Sequence, residues 1–282
     1  MRAIFDFRRL LFGRCMTVLI AISFVCFSAT IYAAIDTAPV RSIPTSERVV
    51  ALTFDDGPDP RYTPRVLTLL RMERIHATFF EIGELVEKHP GLARAVVTEG
   101  HVVGNHTYSH ADIEFATSET IQTEIAKCED AIIRVTGKRP VLFRPPKGRY
   151  NGTLFQILQD RNYHLILWKL CVEHKASPTP VDMAHRVIAN TRPGTIILAH
   201  DGRLNREKDM EALPIVIRGL KAKGYRFVTI PELLALRQKA SGQHLKSVTA
   251  GVEPGNRLKQ QAEPADRGSR LSTVMRHILV RN

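Results

Sequence analysis

Short apolar runs alternate with amphipathic segments over residues 48–236 of this chain. The apolar runs are β-prone and closed by turn residues, which predicts strands at 49–54, 77–82, 101–104, 141–144, 164–168, 195–199 and 226–229. Helical periodicity between them predicts helices, among them 63–73, 121–136 and 209–223. Alternating strands and helices indicate an α/β fold with a parallel sheet. The pattern fits both a barrel and a doubly wound sheet.

The chain before residue 48 has a different pattern. An arginine-rich N-terminal segment precedes an uncharged, mostly apolar run at 15–34, and this run ends in small residues. Residues 1–34 are therefore predicted to be a signal peptide or an uncleaved signal anchor, with a buried core helix as the alternative. Residues 35–47, which carry prolines, serines and threonines, predict a linker or an N-terminal arm. We expect an exported protein, periplasmic or at the cell surface, that is anchored by its N-terminus or secreted.

Charge is concentrated at the other end of the chain. The formal net charge is +12, and residues 237–282 hold nine basic and three acidic residues without strong apolar periodicity. This composition predicts a basic, mostly disordered tail, which either tethers the protein to an acidic envelope polymer or has no specific partner. A nucleic-acid partner is not expected, because no nucleic-acid-binding motif is present and one Trp and six Tyr offer little for stacking.

Cysteine usage adds little. Two of the four cysteines lie in the apolar run near the N-terminus, which leaves Cys128 and Cys171 for the main domain. Outside the cytoplasm these two could form a disulfide, and their spacing is not that of a zinc site.

Two adjacent carboxylates end the first predicted strand. Asp55 and Asp56 precede Gly57 and Pro58, and α/β folds build their sites at the carboxyl ends of strands. Neighbouring residues on a strand point to opposite sides, so Asp55 and Asp56 could perform two different tasks. The alternative is a surface turn, since Asp-Gly and Gly-Pro are common turn dipeptides.

A pair of histidines follows the third predicted strand. His106 and His110 are four residues apart, so we expect them on one face of a helical turn, where both rings could reach one ion. Asp56 could add a carboxylate, and two His with one Asp form an open, catalytic type of metal site. Imidazole suits zinc and similar divalent metals. An incidental pair of histidines is the alternative.

Two further strand ends carry cationic or titratable groups. Arg144 begins the run Arg-Pro-Pro-Lys-Gly and could pair with a site carboxylate and keep it charged. The fixed backbone of this run could bind an oxyanion beside a metal. His200 follows the apolar run 195–199. The alternative for Arg144 is a rigid surface loop, and the alternative for His200 is a buried structural histidine. However, four strand ends that carry such groups at one edge of an α/β fold favour a single site.

Four motifs together closely resemble the polysaccharide deacetylase family, also described as the NodB homology domain or carbohydrate esterase family four. They are Thr-Phe-Asp-Asp-Gly-Pro at 53–58, His-Thr-x-x-His at 106–110, Arg-Pro-Pro-x-Gly at 144–148 and Leu-x-His at 198–200. The resemblance covers residues 48–236 and implies a distorted (β/α) barrel of about seven parallel strands.

The resemblance also implies a role for each site residue. It implies Asp55 as the general base, His200 as the general acid and Arg144 as the partner that holds Asp55. It implies a divalent metal, Zn²⁺ before Co²⁺ or Ni²⁺, and the ligands would be Asp56, His106 and His110. Substrate contacts are expected from Leu198, which would form a wall of the acetyl pocket, and from Pro146, Lys147 and Tyr150.

One segment departs from the family pattern. Members usually carry an acid and a Trp after the fifth strand, which position and tune the acid histidine. Here the expected Asp positions hold Cys171 and His174, and the expected Trp is Lys175. Glu173 could substitute as the acid. Lys147 also replaces a residue that is often aromatic in the family.

Three functions follow as hypotheses. The first is a metal-dependent hydrolase that removes N-acetyl groups from GlcNAc-type residues of peptidoglycan, a chitin-like oligomer or an exopolysaccharide. The second is an O-acetyl esterase, or another amide hydrolase, with the same site. The third is a non-catalytic glycan-binding envelope protein. We expect a monomer.

Overall fold

The structure, a computed structural model, describes residues 38–174 and 176–237. The N-terminal segment predicted at 1–34 and nearly all of the basic tail predicted at 237–282 lie outside the described residues. Within 38–174 and 176–237, no helix is both long enough and apolar enough to cross a membrane.

All strands of the described domain lie in one parallel sheet. In chain order they are β1 (Val49–Asp55), β2 (Thr78–Glu81), β3 (Val102–Asn105), β4 (Leu142–Phe143), β5 (His164–Leu165), β6 (Leu170–Cys171), β7 (Thr195–His200) and β8 (Arg226–Phe227). The spatial order is β5-β4-β3-β2-β1-β7-β6, and β8 pairs with the start of β1. The distorted barrel is confirmed, and the doubly wound alternative is wrong.

The two edges of the sheet are joined by one stretch of chain. β5 pairs with β4, and β6, which follows it directly, pairs with β7. Because β5 and β6 are two ends of the same stretch, the barrel has about seven strand positions, as expected. The sequence predicted one strand at 164–168 and missed β6. A stretch that changes strand partners midway has no continuous apolar run. Here Lys169 interrupts the apolar residues between β5 and β6.

The first strand is the centre of the sheet. Every residue of β1 is buried, since both of its faces are covered, which explains its nearly continuous apolar sequence. Its alternate side chains point to two cores: Leu52 and Phe54 face the helices, where Phe54 stacks on Phe79, whereas Ala51 faces the barrel interior. The register places Asp55 beside His200 of β7.

Helices surround the sheet and cover its outer face. They include α1 (Thr63–Met72), α2 (Gly83–Lys88), α3 (Pro90–Thr98), α4 (Ser118–Thr136), α5 (Gly152–Asp160), α6 (Pro180–Asn190) and α7 (Glu207–Ala222). The predicted helices at 63–73, 121–136 and 209–223 correspond to α1, α4 and α7. Thr117 caps α4 by accepting the Thr120 N–H, and Gly137 ends it in the left-handed conformation that glycine adopts readily.

The described part of the N-terminal segment packs against the barrel. Val40 and Ile43 are buried. The Val40 amide donates to the Leu165 carbonyl, and the Ile43 amide donates to the Gly194 carbonyl. Gly194 has φ +76°, and a Cβ there would lie 1.7 Å from the Ile43 carbonyl oxygen, so only glycine fits. Residues 38–43 therefore bridge the gap between the β5–β6 stretch and β7.

His101 should make the fold sensitive to acid. Its Nδ1 accepts the Ala77 N–H at 3.2 Å, and burial, with a smaller contribution from His76, lowers its pKa from 6.5 to about 4. The unfolded chain therefore binds a proton that the folded chain does not, and stability is lost as pH falls from about 6.5 to about 4. The expected loss is on the order of 3 kcal/mol.

Urea denaturation at pH 7 and pH 4 measures this loss. His101→Asn keeps an acceptor for the Ala77 N–H but does not titrate, so its stability should fall less over this range than that of the wild type. Parallel pH profiles for the two proteins would contradict the assignment.

Candidate active site

A buried arginine lies beneath the site. Arg144 follows β4 and is fully buried; its Nη1 donates to Asp55 Oδ1 at 2.6 Å and to Thr53 Oγ1 at 2.8 Å. Its Nε and Nη2 donate to the carbonyls of Ile166 and Leu167 at 3.2 and 3.1 Å. The guanidinium also lies over the Phe80 ring, 4.0 Å from its centroid. Burial lowers the pKa of Arg144, and Asp55 opposes this change. Arg144 thus ties Asp55 to the stretch that joins β5 to β6.

The two adjacent carboxylates reach the same space. Asp55 ends β1, and Asp56 has φ 76°, in the left-handed region that costs energy for a residue with a side chain. Because this turn interrupts the strand, the two side chains no longer point to opposite sides of the sheet. Asp55 Oδ2 and Asp56 Oδ1 lie 3.8 and 3.6 Å from His106 Nε2. A Cβ on Gly57 would lie 2.7 Å from the Asp201 carboxylate, so the turn needs glycine there. The expectation that the two acids point to opposite sides does not hold.

The histidines come together on a loop. The helical turn expected at 106–110 is wrong: residues 106–110 have no helical structure, and Thr107 and His110 have φ 67° and 61°. Asn105 Oδ1 accepts the Thr107 N–H at 2.9 Å, and Glu124 of α4 accepts the Tyr108 N–H at 2.9 Å. These hydrogen bonds hold a loop conformation that sequence spacing alone does not specify.

Three side chains form a group that could hold a metal ion. The ligand atoms of Asp56, His106 and His110 all lie within 4.8 Å of one another, and Asp56 Oδ1 is 3.2 Å from His110 Nε2. His106 Nδ1 lies 2.7 Å from the Arg144 carbonyl oxygen. Because a carbonyl only accepts, Nδ1 carries the proton and the Nε2 lone pair faces the group. This donor set fits zinc and similar divalent ions.

Asp56 is held in its charged form. Burial raises its pKa, but the adjacent imidazoles of His106 and His110, together with the nearby His200, outweigh this effect, and the pKa lies well below the usual range. A charged carboxylate beside two imidazoles is the state that binds a cation.

A second group of polar side chains lies on the opposite side of the site. His200 Nδ1 is 3.4 Å from Glu173 Oε2, and Glu173 Oε1 is 2.6 Å from Arg206 Nη1. Asp209 at the start of α7 is buried within the same group. Burial lowers the pKa of His200 and Arg206 lowers it further, whereas the carboxylates of Asp55, Asp56 and Glu173 raise it. The structure places Glu173 next to His200, where the family pattern expects an acid.

A cavity of about 440 Å³ lies between the two groups, and its lining includes Asp55, Asp56, His106, His110, Glu173, His200 and Arg206. Leu198, Lys147 and Trp168 also line it, and the Lys147 ammonium pairs with Asp112 at 2.9 Å. Pro146 and Tyr150 are not among its lining residues; Tyr150 packs edge to face against Phe155. The structure thus brings together the predicted acid–base and metal-binding residues, namely Asp55, Asp56, His106, His110, Arg144 and His200.

Sequence reasoning missed several residues of the site. Arg206 directly precedes α7 and Asp209 lies in its first turn, and no motif points to them. Trp168, the one Trp of the sequence, lines the cavity because the stretch between β5 and β6 joins the two edges of the sheet there. Its ring lies against Gly148, where a Cβ would approach Trp168 to 2.7 Å. Cys128 and Cys171 are free thiols, so the disulfide considered from the sequence is absent in the described structure.

Comparison with known proteins identifies relatives of this chain. The family model described as polysaccharide deacetylase matches residues 42–166. A peptidoglycan-N-acetylglucosamine deacetylase from Bacillus cereus is 39% identical over 194 residues, which cover 68% of this chain and 91% of that protein.

Solved structures agree with the fold. The crystal structure of the Bc1960 peptidoglycan N-acetylglucosamine deacetylase has a TM-score of 0.67 and 34% identity, and covers 70% of this chain and 92% of its own. A family 4 acetyl xylan esterase from Clostridium thermocellum, in complex with a cobalt ion, has a TM-score of 0.61 and 37% identity, with coverage of 67% and 91%.

Removal of the Arg144 guanidinium should destabilise the protein strongly. Arg144→Leu leaves Asp55 as a buried, unpaired charge, and the expected loss of unfolding free energy is about 3–5 kcal/mol. Urea denaturation at neutral pH measures it. The matched control is Arg134→Leu, which removes an exposed pair with Glu87 and should cost about 1 kcal/mol or less. A loss for Arg144→Leu no larger than the control's would contradict the role given to this interaction.

Proposed function

Because this chain belongs to the polysaccharide deacetylase family, we propose that it hydrolyses N-acetyl groups on GlcNAc-type residues of an envelope or extracellular polysaccharide. The observation that carries the proposal is the juxtaposition of the Asp56–His106–His110 group with Asp55 on one side and His200 on the other. The likeness to a peptidoglycan deacetylase favours peptidoglycan over a chitin-like oligomer or an exopolysaccharide.

The metal site follows from the donor set. We assign Asp56, His106 and His110 as ligands of a divalent ion, Zn²⁺ before Co²⁺ or Ni²⁺. When bound, such an ion polarises the substrate carbonyl and lowers the pKa of a coordinated water. The cobalt ion in the related esterase structure supports a divalent metal.

Asp55 and His200 would move the protons. Asp55, held by Arg144, accepts a proton from the attacking water, and the hydroxide oxygen forms a bond to the acetyl carbon. His200 donates a proton to the amide nitrogen as the carbon–nitrogen bond breaks. The products are acetate and an amino sugar. The Glu173 carboxylate, 3.4 Å from His200 Nδ1, favours the protonated form of the ring through its charge.

The substrate would lie in the cavity above these groups. Leu198 and Trp168 supply apolar surface for the acetyl methyl group and the sugar. Lys147, with φ 59° in the turn Pro146–Gly148, lines the same space, where its backbone N–H would contact the oxyanion. We retain Pro146 as support for this turn, and Tyr150 as a contact beyond the cavity.

O-acetyl ester hydrolysis is the second candidate. It is favoured by the 37% identity to an acetyl xylan esterase, since the same acid–base set serves an ester as well as an amide. A purely glycan-binding role has less support, because Asp55 and His200 are both present and in place. We also propose that the protein is exported, with residues 1–34 as signal or anchor, and acts as a monomer.

Two substitutions separate the base from the metal site. Asp55→Asn should retain Zn²⁺ and lose turnover by about 10²–10⁴-fold, because the base is removed and the ligands stay. His106→Ala should lose both Zn²⁺ and turnover. Acetate release and bound zinc, measured on the same samples, give the comparison. Near-normal turnover by Asp55→Asn would show that Asp55 is not the base.

A glycan panel identifies the reaction and the substrate class. Zn²⁺-loaded protein should release acetate from N-acetylated peptidoglycan fragments or chitin oligomers, with a mass loss of one acetyl group per modified sugar. A chelator should abolish this activity and added Zn²⁺ restore it. Release from O-acetylated xylan alone would establish the esterase instead. Binding without acetate release from any member would establish the non-catalytic role.

A further inference from the structure

We propose that Arg206 is a positioning residue that holds Asp56 and Glu173 in place with a single guanidinium. One side chain would thereby position a group on the metal side of the site and a group on the proton-donor side. The inference rests on the proposed function, since it takes Asp56 as a metal ligand and His200 as the acid.

The geometry of Arg206 is that of a bridge. Its Nη2 donates to Asp56 Oδ2 at 3.0 Å, and its Nη1 donates to Glu173 Oε1 at 2.6 Å. Its Nε donates to the Gly202 carbonyl at 2.9 Å, which fixes the plane of the guanidinium. Arg206 is only 4% exposed. A buried guanidinium with all three nitrogens engaged has one available orientation, and its rigid fork sets the two carboxylates relative to each other.

On the metal side, Arg206 selects which oxygen of Asp56 faces the histidines. Oδ2 is occupied by Arg206, so Oδ1 lies 3.6 Å from His106 Nε2 and 3.2 Å from His110 Nε2. Groups that hydrogen-bond to a metal ligand orient it, and their loss typically reduces metal affinity or activity about 10–100-fold. Arg206 thus orients Asp56 in the same way that the Arg144 carbonyl orients His106.

On the other side, Arg206 holds Glu173 against His200. With Oε1 bound by Arg206, Oε2 is directed at His200 Nδ1, 3.4 Å away. Glu173 lies on a partly exposed loop after β6, and Cys171 and His174 supply no carboxylate where the family pattern has one. Burial, and then Glu173, raise the pKa of Asp209 well above its usual range, which favours the neutral acid and reduces competition with Glu173 for the cations. Because Glu173 is not at the position where the family carries its acid, it needs Arg206 to hold it beside His200.

Substitutions at both ends of the bridge test the inference through metal binding as well as turnover. Arg206→Gln should weaken Zn²⁺ binding about 10–100-fold, measured by competition with a chromogenic chelator, and should also lower kcat. Glu173→Gln should lower kcat but leave Zn²⁺ affinity unchanged, because Glu173 reaches Asp56 only through Arg206. Since Arg206 acts on His200 through Glu173, the loss of kcat in the double variant should be smaller than the product of the single losses.

Two further variants separate positioning from folding. Arg206→Lys keeps the charge but cannot bind both carboxylates in a fixed fork, so it should fold and still bind Zn²⁺ more weakly than the wild type. Arg65→Gln removes an exposed arginine that pairs with Glu207 at the start of α7, and should leave Zn²⁺ affinity and kcat unchanged. Co²⁺ quenching of the single Trp, Trp168, provides a second measure of metal binding.

The outcomes distinguish this inference from the proposed function. Wild-type Zn²⁺ affinity in folded Arg206→Gln or Arg206→Lys would overturn the positioning role while the deacetylase assignment stands. A fall in Zn²⁺ affinity for Glu173→Gln equal to that for Arg206→Gln would also overturn it, because the two ends would then not be separable. A wild-type protein that binds no divalent ion would overturn the metal site of the proposed function itself.

Discussion

The buried ion pair between Arg144 and Asp55 is the interaction on which the site depends. Both partners lie almost wholly out of water, so neither is stable without the other. The same guanidinium satisfies two carbonyls of the stretch between β5 and β6, where the chain changes strand partners. One side chain therefore completes the barrel wall and fixes the position of the base. A substitution of Arg144 would therefore affect both the fold and the chemistry of the site.

Acids are concentrated around the site, and the protein limits their charge in two ways. Some carboxylates are paired: Asp55 with Arg144, and Asp56 and Glu173 with Arg206. Others ionise less readily, since burial raises the pKa of Asp201 to about 7 and raises that of Asp209 well above its usual range. The negative charge that remains is thereby concentrated next to the histidines, where a cation would bind.

Backbone conformation does the remaining positioning. Asp56, Thr107, His110 and Lys147 all have positive φ without being glycine. Each such residue costs of order 1–3 kcal/mol and persists only where its surroundings determine it. Here the surroundings include Asn105, which binds the Thr107 amide. These backbone conformations follow strand ends around one cavity, and they direct the side chains of separate motifs toward the same site.

The amino-acid sequence by itself determined the class of fold and the chemical groups of the site. The apolar runs predicted most strands because a strand buried on both faces needs them, and the four motifs marked which strand ends carry reactive groups. Only the tertiary structure decided how these groups meet. The choice of barrel over open sheet depended on the stretch after β5 changing partners, which leaves no periodic signal. Arg206 and Asp209 entered the site through the packing of α7, a contact between residues distant in sequence. Residues distant in sequence pack against the left-handed turn at Asp56: the Asp201 N–H donates to the Asp55 carbonyl, and a Cβ on Gly202 would lie 2.0 Å from the Asp56 carbonyl oxygen. Local sequence could therefore place the two carboxylates at the strand end but could not direct both of them to one point.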